Sequence, residues 1–227
     1  MARLTFHGQS TFTIETDDGT RLVIDPFFDD NPVSDIRRSE VGAVDYILCT
    51  HGHFDHFVDA IPLARETGAT LISTFEIVSF AETQEVQGHP LHIGGGHDFP
   101  FGRAKMTPAI HGGQVHGDAT GQFTTVPGGF LLHIDGKRIY HAGDTALTLD
   151  MQLLRGKVDV AILPIGDNFT MGPEDAATAV GFIEPAVVIP MHYNTWPLIE
   201  QDPEHFRALV GDRAHVQVMS PGDVYAP

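Results

Sequence analysis

The sequence predicts an α/β sandwich, two mixed β-sheets packed face to face with helices on the outer faces. Runs of strand type outnumber helical stretches in both halves of the 227 residues. Helical stretches appear between strands late in the chain, as crossover connections require. Gly and Pro, 24 and 15 residues, are spread throughout, as many short elements joined by turns demand. No repeat, low-complexity tract or composition shift marks a boundary, so one domain over residues 1–227 is expected.

The elements follow in order. Residues 4–6 and 11–14 alternate with period two before an Asp18-Gly19 turn, and residues 21–24 follow it. The chain therefore opens as an antiparallel meander. Residues 46–49 and 70–72 read as short buried strands. Residues 104–110, 129–134, 138–140, 158–163, 187–189 and 216–218 complete the strands. Helices are expected over residues 58–66, 173–183 and 203–210. The second opens on Pro173 with Glu174 and Asp175 at the positive end of its dipole.

Composition narrows the partners. Thirteen Lys plus Arg against 30 Asp plus Glu leave a net charge of −17. Such a chain repels nucleic-acid phosphates and anionic membranes, so neither is an expected partner. Cys49 stands alone, which excludes an internal disulfide and fits a reducing, cytoplasmic compartment. The first 12 residues show no apolar run behind a basic start, so no secretory signal is expected. No apolar stretch approaches the roughly 20 residues that span a bilayer. There is no GxSxG elbow, no phosphate loop and no GxGxxG after a strand; Gly94-Gly95-Gly96 reads as a turn. The unusual count is 14 His.

Chemistry concentrates in Thr50-His51-Gly52-His53-Phe54-Asp55-His56, directly after an apolar strand. Extended backbone puts His51 and His53 on one side, and a tight turn at Gly52 aims Asp55 and His56 elsewhere. Two adjacent metal ions, one for each pair, suit that spacing, because imidazole and carboxylate are the ordinary ligands of zinc-like ions. Isolated histidines such as His89, His92, His97, His205 and His215 read as exposed or in turns, and His133 as the outward side of a strand. Cys49 reads as core.

The HxHxDH segment resembles the signature of the metallo-β-lactamase superfamily. Met106-Thr107-Pro108-Ala109-Ile110-His111, His141-Ala142-Gly143-Asp144-Thr145 and Pro190-Met191-His192-Tyr193-Asn194-Thr195 resemble its later motifs, in order. Phe6-His7-Gly8-Gln9-Ser10, Ile24-Asp25-Pro26-Phe27 and the segment 164–172 are similar to small, largely uncharacterised metal-dependent hydrolases near the ascorbate-phosphate lactonase branch. The resemblance implies the metallo-β-lactamase αββα fold and two divalent ions. It implies that His51, His53 and His111 hold one ion, that Asp55, His56 and His192 hold the other, and that Asp144 bridges them. Zinc is favoured, with manganese, iron, nickel or cobalt also accepted by such donors. Many relatives carry His where this chain has Gln9, so no role is carried over to Gln9, and His7 is a weak substitute.

Several residues keep two readings. His116 rivals His111; it is either a loop residue or a substrate contact at the pocket rim. Asn194 and Tyr193 either donate hydrogen bonds to substrate or build the turn. Asp25 either orients a ligand imidazole from behind or merely starts a turn before Pro26. His141 is equally a packing residue or a catalytic one. The implied activity is metal-dependent hydrolysis by a hydroxide made from water shared by two ions, with Asp55 as ligand and proton carrier. The expected substrate is a small ester, lactone or related acyl compound. A phosphodiesterase or nuclease is the alternative, disfavoured by the scarcity of Lys and Arg, and a non-catalytic metal-binding module is a third. A homo-oligomer is left open.

Overall fold

A computed structural model describes residues 1–227. Fourteen strands form two sheets of seven. The first contains β1 (Arg3–Phe6), β2 (Phe12–Glu15), β3 (Arg21–Ile24), β4 (Tyr46–Leu48), β5 (Thr70–Thr74), β6 (Gly88–Leu91) and, from the C-terminus, β14 (Val224–Tyr225). Their order is β14-β1-β2-β3-β4-β5-β6. The second contains β7 (Gly96–Phe99), β8 (Gly102–Pro108), β9 (Gly128–Ile134), β10 (Lys137–His141), β11 (Val160–Pro164), β12 (Val187–Met191) and β13 (His215–Val216), in the order β13-β12-β11-β10-β9-β8-β7. Each sheet is mixed. The run from β1 to β3 is antiparallel and β3 to β6 is parallel. Likewise β7 to β10 is antiparallel and β10 to β13 parallel.

Three apolar layers stack across the molecule. Leu4, Phe12, Ile24 and Ile72 of the first sheet meet Phe130, Leu132, Ile162 and Ile189 of the second between the sheets. The alternate residues face outward and are also buried. Val23, Ile47 and Leu71 lie under helices α2 (Ala60–Thr67) and α3 (Phe75–Thr83). Tyr140, Ala161, Leu163 and Val188 lie under α4 (Pro173–Ile183) and α5 (Pro203–Val210). Burial on both faces explains why these strands read as continuous apolar runs. No helix is long and apolar enough to cross a membrane.

Several expectations are corrected. The expected helix over 58–66 is preceded by a separate single turn, α1 (Phe54–Phe57), and runs over Ala60–Thr67. The strand expected at 104–110 stops at Pro108, and that at 216–218 is confined to His215–Val216. Helix α3 was not foreseen, because Ile77, Val78 and Phe80 are weak helix formers whose burial against β5 and β6 overrides propensity. The unforeseen strands β6, β7 and β14 are all sheet edges. Edge strands bury one flank only and tolerate residues such as Gly88 and Pro90, so they carry little apolar pattern. Gly96 is the first residue of β7, not part of a turn.

Candidate metal centre

Every residue of interest leaves the C-terminal end of a strand. His51 follows β4, Asp25 β3, Gln9 β1, His111 β8, Asp144 β10 and His192 β12. The pairing directions make β1, β3 and β4 point one way in the first sheet, and β8, β10 and β12 one way in the second. Loops from both sheets thus meet at one edge of the sandwich. Carboxyl ends of parallel strands are where such folds place their ligands.

The structure brings the seven residues together. Donor atoms of His51, His53 and His111 lie within 4.8 Å of one another, as do those of Asp55, His56, Asp144 and His192. The two groups adjoin at Asp144. Its Oδ2 is 3.0 Å from His192 Nε2, 3.4 Å from His111 Nε2 and 3.9 Å from His51 Nε2, while Oδ1 is 3.3 Å from His56 Nε2. Oδ2 therefore lies between the two groups, facing His51 and His111 on one side and His192 on the other, while Oδ1 faces His56. Asp55 Oδ2 lies 3.3 Å from His56 Nε2 and 3.4 Å from His192 Nε2.

The donor set fits divalent cations. His51 Nε2, His56 Nε2 and Asp144 Oδ1 are buried and form no hydrogen bond. Buried polar atoms without partners are costly, and here they converge on common points. The opposite side of each ring is tied down. Asp25, fully buried, accepts from His56 Nδ1 at 2.8 Å and from the Thr50 backbone N–H and hydroxyl, each at 2.7 Å. Because that hydroxyl donates to Asp25, its oxygen accepts from His51 Nδ1 at 3.0 Å. One carboxylate thereby ties back two imidazoles through Nδ1 and leaves both Nε2 atoms facing the cluster. Asp25 is placed as an orienting residue.

Electrostatics separates the two groups. Burial, with His56 nearby, holds the His51 imidazole well below its usual range, and burial also lowers His53 and His111. These three are neutral imidazoles, the state that ligates metal. Burial opposes charge on His192 too, but Asp144 and Asp55 outweigh it and raise its pKa to about 9. His56 is likewise driven up against burial by Asp144, Asp55 and Asp25. For Asp55 and Asp144 burial acts upward, and the His56 and His192 charges prevail, holding both carboxylates well below the usual range.

Backbone strain collects here. Gln9, Asp25 and His192 have φ of 55°, 48° and 56°. Left-handed backbone costs a non-glycine residue about 1–3 kcal/mol and persists where surrounding contacts over-determine it. Gly52 is required for a different reason than the expected sharp turn. A Cβ there would come within 2.7 Å of Val115 Cα and 3.0 Å of Gln114 O, so it clears space for the loop that follows His111.

The remaining expectations resolve geometrically. His116 stays outside the cluster. It is exposed, with its ring edge-on to Phe54 at 5.2 Å, in a cleft of about 220 Å³ that also contains His53. Asn194 builds the turn after β12, its Oδ1 accepting from Gln201 N–H at 2.8 Å, and Tyr193 packs against the outer apolar layer. His141 is buried; its Nδ1 accepts from Gly143 N–H and its Nε2–H donates to Ser10 O, so both nitrogens are engaged by backbone. His7 pairs with Asp35 at 2.7 Å and with Thr13, so it does not substitute for Gln9. His89 and His97 are not isolated: their rings meet at 4.3 Å between the edge strands β6 and β7. Cys49 is buried core and His133 is exposed, as expected.

Gln9 itself is the residue that motif reading passed over. It is 1% exposed, and its Nε2 donates to Asp55 Oδ2 at 2.8 Å. The Thr195 hydroxyl donates to its Oε1, and the His192 N–H to its backbone oxygen at 2.8 Å. A polar residue in a Gly8-Gln9-Ser10 turn was the available signal, but its partners lie 46 and 186 residues away.

Comparison with known proteins gives a consistent result. A beta-lactamase superfamily domain matches residues 3–192. The chain is 48% identical over 235 residues to a UPF0173 metal-dependent hydrolase of Heliobacterium modesticaldum, covering 98% of this chain and 96% of that one. It is 47% identical over 224 residues to a UPF0173 metal-dependent hydrolase of a Geobacillus species, covering 97% and 98%. The solved structure of Igni18, a metallo hydrolase of Ignicoccus hospitalis, superposes with a TM-score of 0.88 at 37% identity, covering 99% of this chain and 97% of that one.

Proposed function

Because the chain belongs to the metallo-β-lactamase superfamily and is a metal-dependent hydrolase of it, we propose that it hydrolyses a small ester, lactone or related acyl compound at a dinuclear centre, with zinc the favoured metal. We assign His51, His53 and His111 to one ion, Asp55, His56 and His192 to the other, and Asp144 to both. The observation that carries this reading is Asp144, whose Oδ2 lies 3.0 to 3.9 Å from histidines of both groups while Oδ1 is 3.3 Å from His56. Since strands of both sheets supply these ligands, residues 1–227 act as one domain.

Divalent ions held by these residues would supply Lewis acidity and lower the pKa of a water from about 15.7 toward roughly 7. The protein's own groups do the rest. Asp55 Oδ2 is committed to Gln9, and Oδ1 accepts no hydrogen bond from the protein, so Oδ1 is the atom placed to carry a proton toward the leaving group. His53, Phe54 and His116 line the cleft beside the cluster, and no Lys or Arg does. Phe54 stacks edge-on against Phe27, which contacts Trp196. That aromatic rim, which carries a carboxylate at Asp118 and no cation, supports an acyl substrate over a polyanionic one, with His116 at the rim as a substrate contact. The lone buried thiol of Cys49 fits action in the cytoplasm.

Elemental analysis of the purified protein, followed by assays on lactones, thioesters and phosphodiesters, tests this. Two ions per chain and chelator-sensitive lactone or ester hydrolysis are expected. One ion per chain, or turnover restricted to phosphodiesters, refutes it.

A further inference from the structure

Gln9 occupies an unusual position for an uncharged amide. It is buried, in left-handed backbone with φ of 55°, and all three of its hydrogen bonds lead to one small region. A carboxylate only accepts, so the amide face toward Asp55 is Nε2, donating to Oδ2 at 2.8 Å. The amide oxygen then faces Thr195, whose hydroxyl donates to it. The backbone oxygen accepts the N–H of His192, whose own φ is 56°. Asp55 and His192 are thus fixed by opposite ends of a single residue. The oxygen that Gln9 holds, Oδ2, is also the one 3.3 Å from His56 Nε2 and 3.4 Å from His192 Nε2.

We propose that Gln9 is a positioning residue for the Asp55–His56–His192 group. Its N–H occupies one lone pair of Asp55 Oδ2, aims the other at the cation position, and prevents the carboxylate from rotating or chelating through both oxygens. Its backbone carbonyl sets the His192 imidazole against the same point. The inference rests on the dinuclear reading above. It also explains a chemical choice. An amide holds this link without titrating, whereas an imidazole in its place changes charge near neutral pH.

The test is metal binding rather than turnover. Metal-free protein is titrated with zinc against a competing chelator, and with cobalt followed by its absorption spectrum. Gln9→Met removes the donor at nearly constant length. It should weaken one of the two binding steps by about 10–100-fold, the effect typical of losing a group that orients a ligand. The other step should stay close to wild type, and the thermal midpoint of the metal-free protein should fall only by the few degrees that two lost buried hydrogen bonds cost. Thr195→Val, which leaves the donor but frees the amide, should weaken the same step by about 2–10-fold, and it serves if Gln9→Met does not fold. Two unaltered steps in the variants overturn the inference and leave the dinuclear reading standing. Equal weakening of both steps with a large fall in thermal midpoint shows a merely structural role and overturns it too. Wild-type protein that binds fewer than two ions removes the dinuclear reading and the inference together.

Discussion

Replacing Asp25 with Asn removes a charge while keeping size and tolerance of left-handed backbone, which Asn shares with Asp. The native carboxylate accepts three buried hydrogen bonds at 2.7, 2.7 and 2.8 Å. An amide offers one accepting oxygen. Whichever way it turns, its NH2 meets either the Thr50 N–H or the His56 Nδ1–H in a dry site. One hydrogen bond to a charged group is lost, worth about 1.5–3 kcal/mol, and one buried donor is left unsatisfied, costing about 1–3 kcal/mol more. The sum is on the order of 2.5–6 kcal/mol. For a chain of this size, each kcal/mol lowers Tm by about 2–4 °C, so calorimetry of metal-free protein should show a drop of at least about 5 °C. The charge that holds the His56 ring is also removed, and metal affinity should fall about 10–100-fold. A Tm within about 2 °C of wild type, with unchanged metal affinity, would show that Asp25 neither bears this load nor orients the imidazoles.

Other perturbations separate the remaining roles. Asp144→Ala should reduce metal content to one ion or fewer and activity by at least about 100-fold, read by elemental analysis and turnover; full retention of both refutes the bridging assignment. His111→Ala should lose an ion, whereas His116→Ala should keep both ions and raise KM, and a reversed result exchanges the two residues. Gly52→Ala should cost about 1–3 kcal/mol in a denaturant titration, because its Cβ drives into Val115; an unchanged midpoint shows that the loop yields freely. His141 is held neutral by burial, its pKa below the ordinary 6.5. The unfolded chain therefore takes up a proton first as pH falls below 6.5, and stability declines there by up to about 1.4 kcal/mol per pH unit until the folded pKa is passed. Stability curves between pH 7.5 and 5.5 should be shallower for His141→Gln than for wild type; identical slopes refute the assignment.

The sandwich was legible in the strand pattern and the HxHxDH cluster in its spacing, while His111, Asp144 and His192 were picked out by resemblance to later motifs. HxHxDH lies in one loop, and His111, Asp144 and His192 each trail an apolar run. The strands that escaped notice, β6, β7 and β14, are edges where half the flank is unpaired and pattern is weak. Helix α3 escaped because packing, not propensity, makes it a helix.

What the amino-acid order determined by itself was the supply of imidazole and carboxylate donors and the strand ends that carry them, since donor chemistry and apolar periodicity belong to short segments. Only tertiary structure decided how those side chains are held. Asp25 locks His56 from 31 residues away and Gln9 grips Asp55 from 46. His141 is bound to backbone at Ser10, 131 residues off. A hydrogen bond of 3 Å has no sequence signature when its partners meet only because two sheets close on each other.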